Sequence, residues 1–256
     1  MNIFSLHVRD LILILTIVVF TGCEKQNRDN QINPVNVNGN KGYPVKAIAL
    51  TFDDGPDNLY TGLILDILKE KDVKATFFLV GNKIKENKKV ASRIFTEGHC
   101  IANHTSDHSK LPGKSLGEMY KNIMKTEKII DSICGKSQKI FRPPWGLITK
   151  EQKNWLSKLG FNTILWNIDS KDYSVKYNSE MIVNKVIREA QKNRIILLHS
   201  ADYAGKQSRM NTVQALPRII DILRKQGYVF VKVDEFVDQD SISLNDEKFI
   251  PEEAGQ

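Results

Sequence analysis

The stretch VKAIALTFDDGP, residues 45–56, decides the fold. It begins with an apolar run of the length of a buried strand, and two adjacent acids, Asp53 and Asp54, follow this run directly. Between residues 43 and 237, further apolar runs alternate with segments of helical periodicity. The runs are ATFFLV (75–80), HCIAN (99–103), KIF (139–141), FNTILWNI (161–168), RIILLH (194–199) and YVFVKV (228–233). Such alternation is typical of parallel strands joined by crossover helices.

The segments between the runs are predicted to be amphipathic helices. They cover residues 59–70, 82–97, 115–134, 149–159, 179–192 and 211–226. Glycines stand where four of these helices should stop, at Gly98, Gly135, Gly160 and Gly227. Seven β/α steps are too many for a small open sheet. They predict one α/β domain, a distorted (β/α) barrel of about seven parallel strands.

Charged and imidazole side chains follow the predicted strands closely. They are Asp53-Asp54, His104, Arg142, Asp169 and His199. Catalytic side chains of (β/α) barrels lie at the carboxyl ends of the strands, so we expect these groups to meet on one rim.

The segment HTSDH, residues 104–108, places two histidines four positions apart. Both rings can then reach one side of a helical turn and share a metal, although such a pair alone is more often solvated. Asp53-Asp54 could supply the anionic ligand that a metal site needs. Two adjacent carboxylates repel unless a cation separates their roles, so we expect one to bind the metal and the other to accept a proton from water. Taken alone, DDGP would be an ordinary exit from a strand into a turn.

Five segments, in their order and spacing, carry a resemblance to a known family. They are TFDDGP (51–56), HTSDH (104–108), FRPPWG (141–146), DSKDY (169–173) and LLHS (197–200). Together they resemble the polysaccharide deacetylase family, the NodB-homology group of carbohydrate esterase family four, over about residues 44–237. The resemblance implies a distorted (β/α) barrel that removes acetyl groups from N-acetylated sugars with the help of a metal.

The resemblance also implies roles for the residues that activate water. Asp54, His104 and His108 match the ligands of a divalent metal, usually Zn²⁺, with Co²⁺ or Ni²⁺ sometimes accepted. Asp53 matches the general base, and Arg142 matches the residue that orients this base.

A second set of residues matches the groups that handle the acetyl group and the leaving amine. His199 matches the general acid, and Asp169 matches the carboxylate that positions and charges it. The backbone N–H of Trp145 matches a donor to the oxyanion. Leu198 is expected to line the pocket for the acetyl methyl group, and Tyr173, which stands where the family commonly has Trp, to form its wall.

The predicted substrate is an N-acetylated glycan, with peptidoglycan favoured. Chitooligosaccharides, an exopolysaccharide and the O-acetyl groups of xylan are the alternatives, because groove loops rather than motifs decide among them. A non-catalytic wall-binding lipoprotein is the alternative from another class. It would be expected to lack Asp53, a metal ligand or His199, and none of these is missing. A metalloprotease is disfavoured because the sequence lacks a His-Glu-x-x-His segment.

The N-terminal residues 1–23 are predicted to be a signal peptide. Their apolar run LILILTIVVF (11–20) is too short to span a bilayer but fits a secretory leader. Cys23 follows a small residue, which resembles the lipobox of bacterial lipoproteins and predicts lipidation and a membrane anchor. An ordinary cleaved leader or an uncleaved anchor is the alternative. Residues 24–43 are rich in Asn and Gln and are predicted to be a disordered tether.

Charge and cysteine content fit an exported protein. The net charge is +7, although residues 238–256 form an acidic tail with six acids and one lysine. The deacetylase domain, 44–237, is therefore basic, which suits anionic wall polymers or lipid head groups. The sequence contains no nucleic-acid-binding motif, so no nucleic acid partner is expected. Export would permit a disulfide between Cys100 and Cys134, but two separate buried thiols are the favoured state.

Overall fold

The structure, a computed structural model, describes residues 46–190 and 195–237. The predicted signal peptide with Cys23, the tether and the acidic tail lie outside the described residues. Within the described part of the chain, no helix combines the length and the apolar character that crossing a bilayer requires.

The described strands form one parallel sheet that curls into an incomplete barrel. The strands are β1 Ala47–Asp53, β2 Thr76–Leu79, β3 Cys100–Asn103, β4 Ile140–Phe141, β5 Asn162–Thr163, β6 Ile168–Asp169, β7 Ile195–His199 and β8 Val229–Phe230. Their order is β5-β4-β3-β2-β1-β7-β6, and β8 pairs with the start of β1. This confirms the predicted distorted (β/α) barrel.

One predicted strand, FNTILWNI, is divided into two short strands at opposite edges of the sheet. β5 pairs with β4, whereas β6 pairs with β7. The chain between them therefore crosses the open side of the barrel, where none of the described strands continues the ladder. The backbone N–H of Ile164 still bonds to Phe141, and that of Asn167 bonds to Ile195.

The helices lie where the periodicity predicts them, with one division and one addition: the last helix begins at Val233, the final residue of the predicted strand 228–233. They are α1 Tyr60–Glu70, α2 Gly81–Glu86, α3 Lys88–Thr96, α4 Leu116–Cys134, α5 Lys150–Lys158, α6 Ser179–Ala190, α7 Met210–Lys225 and α8 Val233–Val237. The predicted helix 82–97 breaks at Asn87, whose φ of −124° and ψ of 46° are not helical. Its side chain donates to the carbonyls of Lys83 and Pro56. The four glycines expected to end helices all have positive φ.

The alternation of side chains along β1 separates two of the three apolar clusters among the described residues. On β1, Ile48, Leu50 and Phe52 face the helices and join a large apolar cluster there. Ala47 and Ala49 face the barrel interior, in a smaller cluster. The inward face of β1 continues to its carboxyl end and carries Asp53 to the mouth of the barrel.

The two described cysteines are free thiols, in agreement with the favoured prediction. Cys100 on β3 lies in the interior cluster, whereas Cys134 at the end of α4 packs against the helix-facing cluster. Cys100 is buried, but Cys134 is only half-buried. Burial raises the pKa of both thiols, to about 11 for Cys134.

Candidate active site

The carboxyl ends of the strands bring most of the predicted site residues to one rim. Asp53 ends β1 and lies opposite His199, which ends β7, in the ladder between these strands. His104 and Arg142 are the first residues after β3 and β4. Asp169 ends β6, beside β7. The expectation that strand ends deliver these groups to one rim therefore agrees with their placement.

Asp54, His104 and His108 form a candidate metal site. All three are buried, and each offers one ligand atom within 4.8 Å of the other two. Asp54 Oδ1 lies 3.5 Å from His104 Nε2 and 3.1 Å from His108 Nε2. Within the described chain this buried oxygen has no hydrogen-bond partner. One carboxylate oxygen and two imidazole nitrogens that converge on a point are a suitable donor set for a divalent cation.

The ionisation states of Asp54 and His108 suit metal binding. Burial raises the pKa of Asp54, but contacts with the two histidines outweigh this effect and hold that pKa well below its usual range. Burial lowers the pKa of His108 and so favours the neutral imidazole, which is the form that binds metals.

Helix α4 and the end of β3 hold the loop that carries the two histidines. Thr105 and His108 have left-handed backbone conformations, with φ of 66° and 55°. Such conformations cost free energy in residues other than glycine, so their surroundings must stabilise them. Asn122 on α4 accepts a hydrogen bond from the backbone N–H of Ser106 at 2.7 Å. Asn103 on β3 accepts one from the N–H of Thr105 at 2.9 Å.

Asp53 is held at one oxygen and left open at the other. Its Oδ1 accepts a hydrogen bond from Arg142 Nη1 at 2.7 Å. Arg142 is fully buried, and its other nitrogens donate to the carbonyls of Ile164 and Leu165. Asp53 Oδ2 faces the candidate metal site, 3.8 Å from His104 Nε2. The arginine thus fixes the carboxylate while one oxygen stays directed towards the site.

The predicted partner of His199 needs a correction. Asp172, not Asp169, contacts the ring: its Oδ1 accepts a hydrogen bond from His199 Nδ1 at 2.7 Å. The Oδ2 atom of Asp172 accepts from the backbone N–H of His199 and from the hydroxyl of Thr212. Burial lowers the pKa of His199, but the charge of Asp172 outweighs this effect and raises that pKa to about 9. The imidazole is therefore protonated at neutral pH.

Asp169 instead organises the loop beside it. It accepts hydrogen bonds from the backbone N–H of Lys171 and from the hydroxyl of Tyr173, and it pairs with the Lys171 ammonium at 2.9 Å. Lys171 has a φ of 59°, and the turn it makes carries Asp172 away from Asp169 and under His199. The segment DSKDY contains both acids, but its letters do not reveal which one the turn directs to the histidine.

Leu198 also differs from its prediction. It is fully buried, lies opposite Phe52 in the ladder and belongs to the helix-facing cluster. Side chains alternate along a strand, so Leu197 lies on the same face as His199 and Leu198 on the other. Leu197 is thus the leucine on the site side of β7, and counting back two residues from His199 would have identified it.

The aromatic residues divide between the site and the core. Tyr173 is half-exposed and lies edge-on to His199, with 5.4 Å between ring centroids. The ring of Trp145 lies edge-on to His108 at 4.4 Å. Trp155 and Trp166 pack against apolar clusters.

His99 has a structural role. Its Nδ1 accepts a hydrogen bond from the backbone N–H of Ala75. The residue is buried, and burial lowers its pKa to about 4.

A half-barrel that brings a cation site, an open carboxylate and a protonated imidazole to one rim is the arrangement of a metal-assisted hydrolase. Comparisons with known proteins agree. Residues 40–164 match the family model described as polysaccharide deacetylase. A peptidoglycan-N-acetylglucosamine deacetylase of Bacillus cereus is 37% identical over 194 residues, which cover 75% of this chain and 88% of that relative. This chain belongs to the polysaccharide deacetylase family.

Solved structures give the same result. A crystal structure of a peptidoglycan N-acetylglucosamine deacetylase in complex with 4-naphthalen-1-yl-N-oxidanyl-benzamide has a TM-score of 0.69 at 37% identity, covering 74% of this chain and 86% of that one. A family 4 acetyl xylan esterase from Clostridium thermocellum in complex with a cobalt ion has a TM-score of 0.70 at 30% identity, covering 78% and 94%. The family and the enzyme class predicted from the motifs are confirmed.

Proposed function

We propose that this protein is a metal-dependent N-deacetylase of cell-wall peptidoglycan. The observation that carries the proposal is the division of labour between the two adjacent acids. Asp54 faces both imidazoles of the candidate metal site, whereas Asp53 keeps one oxygen open beside it. The relative in Bacillus cereus, a peptidoglycan-N-acetylglucosamine deacetylase, supports the substrate.

The reaction converts an acetamide and water into a free amine and acetate. When bound to Asp54, His104 and His108, the cation supplies Lewis-acid chemistry: it makes a water molecule more acidic and polarises the acetamide carbonyl. We favour Zn²⁺, because His and carboxylate ligands suit it, and Co²⁺ is the alternative supported by the cobalt-containing esterase structure. Asp53 accepts the proton of the attacking water, and Arg142 keeps its carboxylate in position.

The remaining residues act on the oxyanion and the leaving group. His199 donates a proton to the nitrogen as the C–N bond breaks, and Asp172 keeps it charged until then. The backbone N–H of Trp145 is the donor that we assign to the oxyanion, a contribution of about 3 kcal/mol for one such donor. We assign Leu197 and Tyr173 to the surroundings of the acetyl group.

The test is acetate release by the purified protein from a panel of acetylated glycans. The panel contains peptidoglycan, a chitin oligomer and acetylated xylan, each with and without a metal chelator. We expect release from peptidoglycan that the chelator abolishes and that Zn²⁺ or Co²⁺ restores. Asp53→Asn should reduce the rate by about 10²- to 10⁴-fold, because it removes the general base.

Other outcomes separate the alternatives. Preferential release from the chitin oligomer or xylan would replace peptidoglycan as the substrate. Release that is indifferent to both the chelator and Asp53→Asn would contradict the mechanism. Binding to peptidoglycan with no release from any glycan would identify a non-catalytic wall-binding protein.

The proposed location is the outer face of the bacterial membrane, beside the wall. Cys23 would carry the lipid, and residues 24–43 would extend the domain away from the bilayer. Cys23→Ala should move the expressed protein from the membrane fraction to the medium or to an unprocessed precursor. An unchanged membrane fraction of mature size would contradict lipidation at this residue.

A further inference from the structure

The two histidines of the candidate metal site differ in what holds their second ring nitrogen. Nδ1 of His104 lies 2.8 Å from the carbonyl oxygen of Arg142. A carbonyl only accepts, so Nδ1 carries the proton and Nε2 is left free for a metal. Such outer hydrogen bonds usually orient the imidazole ligands of metals. His108 Nδ1 is buried, and within the described residues it has no hydrogen-bond partner.

Two aromatic rings contact His108 instead. Tyr203 is stacked on it, with 4.2 Å between ring centroids and an angle of 20° between the planes. Trp145 approaches edge-on, at 4.4 Å and 64°. These contacts cover one face and one side of the imidazole, and they limit its rotation about the side-chain bonds. Tyr203 remains 46% exposed, so burial in the core does not account for its position.

A buried ion pair fixes the backbone next to Tyr203. The carboxylate of Asp202 accepts hydrogen bonds from the backbone N–H groups of Lys206 and Gln207 and from Arg209 Nη2. Arg209 is 3% exposed and also donates to the carbonyl of Ala201. The loop that carries the tyrosine is therefore anchored on both sides of it.

Helix α2 provides a further anchor. The ammonium of Lys83 donates to the carbonyl of Asp202 at 2.6 Å. The neighbouring residues Gly81 and Asn82 donate their N–H groups to the carbonyls of Thr105 and Ser106. One short helix thus connects the loop of the tyrosine to the loop of the metal-site histidines.

We infer that Tyr203 is a positioning residue for His108. Its stacked ring orients His108, as the hydrogen bond to the carbonyl of Arg142 orients His104. The inference rests on the proposed metal site. No hydrogen bond of the Tyr203 hydroxyl is present within residues 46–190 and 195–237. The function therefore belongs to the aromatic ring, and the hydroxyl group is dispensable.

The test measures the affinity of the full chain for Zn²⁺ and Co²⁺ by competition with a chromophoric chelator. Tyr203→Ala should weaken the affinity by about three- to tenfold, the fold-change that corresponds to one aromatic pair. Tyr203→Phe should stay within about twofold of the original protein, because it keeps the stacked ring. The visible spectrum of bound Co²⁺ should change in Tyr203→Ala and not in Tyr203→Phe, since it reports the geometry of the ligands.

Tyr120→Ala is the matched control. Tyr120 is 38% exposed and lies edge-on to Trp155, so its removal also costs an aromatic contact at the surface, but one that involves none of the predicted site residues. Its metal affinity and Co²⁺ spectrum should be unchanged. Thermal denaturation checks that each variant is folded. An affinity of Tyr203→Ala equal to that of Tyr120→Ala overturns the inference.

A double-mutant cycle sharpens the test. If Asp202 acts through the stacked tyrosine, Asp202→Asn should weaken metal binding in the original protein and have no further effect beside Tyr203→Ala. Fully additive effects would overturn this connection. His108→Ala separates the two proposals: if it leaves the affinity unchanged, the metal site itself is wrong. If it abolishes binding while Tyr203→Ala has no effect, only the positioning role is wrong.

Discussion

The two sides of the site are built differently. The inner wall, formed by Asp53, Asp54, His104 and Arg142, consists of residues at or just after strand ends, and all four are buried. The outer rim, formed by segments 169–173 and 201–209, consists of loops that carry half-exposed tyrosines. The inner wall is held by burial and by the ion pair between Asp53 and Arg142. From the rim, Asp172 accepts a hydrogen bond from His199, and Tyr203 stacks on His108. The comparison teaches that strand ends place the acids, whereas loops supply contacts to His108 and His199.

The largest effect is expected from a substitution in the inner wall. Arg142→Met leaves the buried carboxylate of Asp53 without its hydrogen-bond donor, and it should lower the free energy of unfolding by about 3–5 kcal/mol. Arg209→Met is the matched change at the rim. It should cost less, because Asp202 keeps its two backbone N–H donors. Urea denaturation measures both, and an equal loss would contradict the distinction between the two sides.

The second effect concerns the apolar layer behind the inner wall. Leu198→Ala should destabilise the protein by about 2–5 kcal/mol, because it opens a cavity in the helix-facing core, while kcat/KM of the folded enzyme is kept. Leu197→Ala should instead lower kcat/KM by about tenfold, as expected for a pocket residue. Urea denaturation and acetate-release kinetics distinguish the two. The reverse assignment would restore Leu198 as the pocket residue.

The third effect tests which acid, Asp172 or Asp169, keeps His199 protonated. His199 must hold its proton in order to donate it, so activity should fall as the pH rises through the pKa of His199. That pKa is about 9 without a bound cation, and a cation bound nearby would lower it. Asp172→Asn removes the charge that raises the pKa of His199 most strongly. The alkaline limb of the pH profile, the pH range in which activity falls, should then move towards about 6.5. The pH profile of kcat/KM measures this shift.

Asp169→Asn is the matched control for that experiment. It removes a carboxylate from the same segment, but one that contacts Lys171 and Tyr173 rather than the His199 ring. Its alkaline limb should stay where it is in the original enzyme. A shift of this limb in Asp169→Asn, and none in Asp172→Asn, would return the positioning role to Asp169.

The smallest effect is expected at the exposed part of the rim. Lys171→Ala breaks the ion pair with Asp169, in which the lysine side chain is 41% exposed. Solvent screens such pairs, so the free energy of unfolding should fall by only about 0–1 kcal/mol. Urea denaturation measures the change. A loss above about 2 kcal/mol would show that the rim is as tightly built as the inner wall.

Sequence patterns predicted several strands and the ends of helices correctly. The run VKAIALTF, the HCIAN run and the glycines after helices all located elements that the structure contains. The prediction was incomplete where pairing with another strand decides how far a strand extends. The run YVFVKV pairs only at Val229–Phe230, because α8 begins at Val233. FNTILWNI has the composition of one strand, but no strand among the described residues pairs with its middle.

The sequence by itself determined the parallel α/β fold, the family and the residues of the inner wall. Strand periodicity and motif spacing are local properties, because residues close together in the chain specify them. Only the tertiary structure decided that Asp172 accepts a hydrogen bond from His199 and that Tyr203 stacks on His108. These contacts depend on how loops turn and which distant residues they then meet. Contacts of that kind join residues far apart in the chain, and no local pattern of letters encodes them.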